Sequence, residues 1–134
     1  MRSKLIKPIH QLTNSPMKLS DKQQLFTRNI GKLIKYAHLM GFGLSFGHAW
    51  RSPEEQQRLF DQGLSKTLAS MHLSRLAVDF NVFTNGGLCL DWQQIKVLGD
   101  YWESLHPNNR WGGDWNGNDL KDGFIDCPHF EMRG

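Results

Sequence analysis

The chain has 134 residues, 39 % of them apolar and 22 % charged, which is the composition of one globular domain with a single core. Its formal charge of +3 comes partly from Arg2, Lys4, Lys7 and Lys18, which meet no acidic residue before Asp21. No run of about 18 apolar residues exists to span a membrane, and Met1 to His10 carry the charges but not the apolar stretch of a secretory signal.

Residues 1–19 show no periodicity and contain Pro8, Asn14 and Pro16, so they are expected to form an irregular basic arm, with the folded domain in 20–134. Such an arm is either a solvated terminus or a contact for an anionic polymer. Ser20 with Gln23 has the pattern of a capping box. Behind it Phe26, Ile30, Leu33, Ala37 and Met40 fall on one helical stripe that Gly41 stops. Leu44 to Trp50 alternates as a strand, with Ser45, Gly47 and Ala49 on a small-residue face that Arg51 continues. Ser52-Pro53-Glu54-Glu55 opens a second helix running to about Gln62.

Ala77 to Phe83 alternates again. Val78, Phe80 and Val82 are placed on the core face, and Asp79 and Asn81 on the polar one. A turn at Asn85-Gly86-Gly87 leads to a third helix that begins near Asp91, carries Ile95, Leu98, Trp102 and Leu105, and ends at Pro107. Residues 108–123, rich in Gly, Asn and Asp, read as a long loop with a short strand at Arg110-Trp111, and Phe124 to Met132 as the last strand. Helix, strand, helix, strand, helix, strand with short connections points to an α+β domain: a small, mainly antiparallel sheet with helices packed on one side.

Two imidazoles and a carboxylate, His72, Asp79 and His129, are candidate metal ligands, and that composition with a fourth position left to water is typical of a catalytic zinc site. The seven-residue step from His72 to Asp79 is neither the helical His-Glu-x-x-His of many zinc proteases nor the His-x-Asp of iron oxygenases. Asp126 and His129, three apart, would face opposite ways on a regular strand, so the chain must bend between them, and Pro128 supplies a break. Asp126 is then placed beside the metal as a general base rather than as a ligand. Arg51 is a candidate cation for charge that develops during attack on an amide.

Ser70-x-His72-x-x-x-x-Ala77-x-Asp79 followed by Asp126-x-x-His129 resembles the signature of the D-Ala-D-Ala carboxypeptidase and L-alanyl-D-glutamate endopeptidase family, which groups with lysostaphin and the hedgehog N-terminal domain. Trp50-Arg51-Ser52-Pro53-Glu54-Glu55-Gln56, Trp111-Gly112-Gly113-Asp114-Trp115 and Pro128-His129-Phe130-Glu131 are similar to segments of its phage endolysin branch, so the likeness covers about residues 44–132. The resemblance implies zinc held by His72, Asp79 and His129, Asp126 as general base, Arg51 as the transition-state cation and Ser70 as a hydroxyl beside the site. It also implies a peptidoglycan stem peptide as substrate, cut at L-Ala–D-Glu. The alternatives are removal of the terminal D-Ala, and a zinc-containing domain that only binds. A monomer that waits in the cytoplasm until released to the cell wall is expected. One departure stands out: Arg75 occupies the position, three after the first His, where the family usually has Gly.

Trp111 and Trp115 flank the Asp/Asn-rich loop and are expected to wall the substrate groove, with use in the core or as loop anchors an equal alternative. Asp114, Asn116 and Asn118 copy the opening of a calcium-binding EF-hand loop, but Asp119 and Ile125 stand where that loop needs Gly and Glu. Cys89 and Cys127 are expected to be reduced thiols, with Cys127 lacking a base to activate it. His10, His38, His48 and His106 receive no role. No nucleic-acid-binding pattern accompanies the basic charge, so no nucleic acid partner is expected.

Overall fold

A computed structural model describes residues 17–134; the basic arm's Arg2, Lys4 and Lys7 lie outside the described residues. Helix α1 spans Leu19–Leu39 and is followed by strand β1, Gly43–Phe46, helix α2, Pro53–Asp61, and a single 3-10 turn, Met71–Ser74. Strand β2, Ala77–Thr84, forms a hairpin with β3, Gly87–Leu88, and then come α3, Trp92–Ser104, β4, Asn109–Trp111, and β5, His129–Met132. The sheet is antiparallel throughout its described pairings, in the order β1-β2-β5-β4, with β3 on β2. This is the α+β architecture the sequence predicts.

Alternation in β2 sets the two faces. Val78, Phe80 and Val82 are buried in the core with Phe26, Ile30, Leu33 and Ala37 of α1 and Ile95, Leu98 and Trp102 of α3. Each large side chain so buried contributes about 1.5–3 kcal/mol, and this layer holds the sheet against two helices. The other face of β2 carries Asp79. Helix α2 belongs to that polar side and not to the helical layer: Arg51, just before it, reaches Asp79, and its own Gln56 bonds Arg51. Ser52 caps α2 by accepting from Glu55 N–H at 3.0 Å, as its sequence predicts.

Four local expectations change. The capping box at Ser20 and Gln23 is not formed, because α1 starts a turn's edge earlier with Lys18 at its N-cap and no side-chain cap. Gln23 instead reaches across 51 residues and donates to Ser74 O at 2.8 Å, bracing the 3-10 turn. Met40, at the end of the predicted stripe, is exposed. Strand β1 stops at Phe46 rather than Trp50, because Gly47 and His48 together oppose Asp79: Gly47 N–H donates to Asp79 O at 2.7 Å and Asp79 N–H to His48 O at 2.8 Å. Two residues opposite one is a β-bulge, which bends the strand and re-aims the side chains beyond it. Finally, the last strand begins at His129 and not at Phe124.

Candidate metal centre and cleft

Three elements converge on one point. Ser70 caps the 3-10 turn by accepting from His72 N–H at 3.1 Å, and the turn buries the His72 ring completely. The turn ends at Arg75, whose φ of 57° and ψ of 34° lie in the left-handed region. The backbone thus keeps the conformation that glycine adopts most easily, and the Arg75 guanidinium lies over the Trp50 ring at 5.0 Å. From the turn the chain enters β2, where pleating points Asp79 away from the core. His129 opens β5 directly opposite Asp79 in the β2–β5 register.

His72 Nε2 lies 3.2 Å from Asp79 Oδ1, and His129 Nδ1 lies 3.1 Å from the same oxygen. Ligand atoms sharing one tetrahedral ion at 2.0–2.1 Å stand about 3.3 Å apart, so the set fits zinc with little movement. His72, Asp79 and His129 are the cluster among the described residues that offers three ligand atoms within 4.8 Å of one another. Burial opposes charge on Asp79, but hydrogen bonds from His129 and His72 outweigh it and hold the carboxyl well below the usual carboxylate range. Burial likewise opposes charge on His129, and Asp79 with Glu131 overcomes it, raising the imidazole to about 9. The second oxygen of Asp79 accepts from Arg51 Nη2 at 3.0 Å.

The chain bends where the sequence requires it. His129 N–H donates to Asp126 O at 3.0 Å, closing a turn over Cys127-Pro128, so Asp126 and His129 line one cleft despite their odd spacing. Gly112 clamps this turn from the end of β4, donating to His129 O at 2.7 Å and accepting from Asp126 N–H at 2.8 Å. Burial pushes the Asp126 carboxyl up. The cleft, about 580 Å³, is lined by Ser70, Arg51, Asp126, His129, Trp115 and Glu131 among others. Arg51 Nε is buried there without a partner among the described residues.

Trp111 is a correction. It does not wall the cleft but is buried in the core, its ring against Gly99 and Gly113 and its Nε1–H donating to Cys127 O at 2.8 Å. Trp115 does line the cleft, 5.2 Å from the His129 ring. The Asp/Asn loop spends its acceptors on itself: Asp114 takes the amides of Asn118 and Asp119, and Asp122 takes the side-chain amides of Asn116 and Asn118. Cys127 is half-buried, and burial pushes its thiol up to about 11, the opposite of an activated nucleophile.

Two residues with no assigned role from sequence lie beside the site. His48, swung to the polar side by the bulge, sits 4.0 Å from Asp79 Oδ2 and 3.7 Å from Glu55. Glu131 sits 2.8 Å from His129 Nε2 and pairs with Arg110. The period-2 step from His129 to Glu131 was the available signal for the second; nothing local announced the first.

A small antiparallel sheet backed by two helices, with two imidazoles and a carboxylate meeting beside a cleft, defines a hydrolase fold with a candidate metal site. The chain belongs to the family of phage L-alanyl-D-glutamate peptidases, which it matches over residues 42–133. It is 28 % identical over 119 residues to the L-alanyl-D-glutamate peptidase of Listeria phage A118, a match that takes in 87 % of this chain but 38 % of that protein's length. Among solved structures it is similar to the L-Ala D-Glu endopeptidase ChiX of Serratia marcescens, with a TM-score of 0.61 and 26 % identity over 80 % of this chain and 77 % of that one. The fold is also shared with the D,D-pentapeptidase VanY of a VanB-type vancomycin-resistance cassette, solved in complex with Zn(II), at a TM-score of 0.53 and 16 % identity over 81 % of this chain and 71 % of that one. No helix among the described residues is long and apolar enough to cross a membrane.

Proposed function

We propose that the chain is a zinc peptidase that cuts the L-Ala–D-Glu bond of the peptidoglycan stem peptide. The observation that carries this reading is the approach of His72 Nε2 and His129 Nδ1 to a single oxygen of Asp79, beside a cleft that His129, Asp126 and Arg51 line. When bound to these three residues, zinc supplies Lewis acidity and lowers the pKa of water to roughly 7. Asp126 accepts the proton of the attacking water and passes it to the leaving amine, a task for which its raised pKa suits it. Arg51, held by Asp79 and Gln56, offers positive charge to the carbonyl oxygen as that oxygen gains negative charge. Ser70 and Trp115 border the bound peptide. Arg51, Lys66, Arg110 and Arg133 line the same cleft, which suits an acidic substrate.

The chain is proposed to act as a monomer on the peptidoglycan of the cell wall. Zinc quantification with mass analysis of digested sacculi tests the reading. Cleavage at L-Ala–D-Glu leaves peptides with a new D-Glu amino terminus. Free D-Ala as the product would move the assignment to a carboxypeptidase, and a zinc-loaded protein that leaves sacculi intact would make it a binding domain.

A further inference from the structure

Strand β5 buries all four of its residues. Phe130 and Met132 fill the core and His129 faces the metal centre, but Glu131, only 4 % exposed, is a carboxylate that neither packing nor the proposed chemistry requires. Its two oxygens have separate partners. Oε1 lies 2.8 Å from His129 Nε2, while Oε2 accepts from Arg110 Nε at 3.2 Å and Nη2 at 2.9 Å. Arg110 is the cross-strand neighbour of Glu131 in the β4–β5 register, and its guanidinium lies 4.8 Å over the Trp115 ring. Trp115 in turn sits against His129. The imidazole is therefore held at its edge by Glu131 and flanked by the tilted ring of Trp115, and Arg110 touches both neighbours. His72 has no such support at its far nitrogen: its Nδ1 is buried without a partner among the described residues.

We propose that Glu131 is a positioning residue for the metal centre, which accepts a hydrogen bond from His129 Nε2–H and so fixes the tautomer that presents Nδ1 to the ion. The inference rests on the zinc reading above. In the metal-free chain both ring nitrogens face carboxylates; once an ion replaces the proton on Nδ1, an ionised Glu131, which only accepts, keeps the remaining hydrogen on Nε2 and leaves the lone pair on Nδ1. Arg110 holds the other carboxylate oxygen in place with two hydrogen bonds. A glutamine at this position offers both a donor and an acceptor, and leaves the tautomer undetermined. Partners of this kind set ligand orientation and typically change metal affinity by about 10–100-fold.

The test measures zinc affinity by chelator competition for the wild-type chain and Glu131→Gln, each shown to be folded by circular dichroism, together with long-range proton–nitrogen spectra of the zinc-loaded wild type. The expected result is zinc binding at least about tenfold weaker in Glu131→Gln, with wild-type His129 protonated on Nε2. A folded Glu131→Gln that binds zinc as tightly as the wild type overturns the proposal, and so does a wild-type His129 protonated on Nδ1. Should Glu131→Gln fail to fold, the wild-type spectrum decides. Wild-type protein that takes up no zinc brings down the metal reading and this inference together, an outcome distinct from equal binding by the two proteins.

Discussion

Gly112 and Asp126 are packed backbone to backbone: a Cβ added at Gly112 would collide with the Asp126 carbonyl oxygen and come within 2.9 Å of the His129 Cβ. The Gly112 peptide thus occupies the space that fixes the turn carrying both the proposed base and the last proposed ligand.

Gly112→Ala should therefore lower stability by about 2 kcal/mol or more, since overpacking against backbone cannot relax by a rotamer change, and should reduce turnover further by displacing Asp126. Thermal melts and activity on sacculi measure both. Gly31→Ala, on α1 with nothing near its Cβ, should be neutral or stabilising by up to about 1 kcal/mol. A Gly112→Ala variant that melts with the wild type would show that the turn can move.

Asp126→Asn should retain zinc at wild-type stoichiometry and lose at least about 100-fold in kcat, the usual contribution of a placed general base. Metal analysis and kinetics on the same preparation separate the two effects. Loss of zinc in step with activity would make Asp126 a ligand.

In chelator-treated protein, His129 carries a pKa raised to about 9 from 6.5. The folded state then binds the proton more tightly than the unfolded one, so the stabilisation is complete below about pH 6.5 and lost as pH rises through about 9, with an upper size of about 3 kcal/mol. Urea midpoints between those limits should fall with pH for the metal-free chain. With zinc bound the trend should vanish or reverse, because the metal competes with the proton for Nδ1. A flat metal-free profile would contradict the pairing with Asp79 and Glu131.

At Arg75 the left-handed backbone costs a side chain roughly 1 kcal/mol, and stacking on Trp50 returns about half to all of it. Arg75→Gly should therefore stay within about 1 kcal/mol of wild type by urea denaturation, whereas Arg75→Val, β-branched and without the stacking, should lose about 2 kcal/mol. A large loss on Arg75→Gly would mean that the guanidinium, and not the backbone angle, holds the turn.

Where a residue's neighbours lie close in sequence, the chain alone placed it well. The alternation of β2 put Asp79 on the polar face because one side of that strand must be buried, and Pro128 marked the bend that reconciles Asp126 with His129. Trp111 and Trp115 show where such reasoning ends. Both flank the same Gly-Gly pair, yet Gly99 on α3 leaves a slot for one of them and none for the other. Glu131 meets Arg110 across a strand boundary, and Gln23 meets a carbonyl 51 residues away. Those pairings exist only once register and packing are set, so a local window contains no trace of them. The Gly47–His48 bulge is of the same kind, being a property of two strands together.

Helix α1 ends before the segment that matches the family begins at residue 42. It nevertheless supplies Phe26, Ile30, Leu33 and Ala37 to the core and the Gln23 amide that steadies the turn bearing His72. The portable unit is for that reason larger than the family-matched stretch: grafting only residues 42–133 onto another protein would strip one wall from the hydrophobic interior and loosen the turn that carries His72.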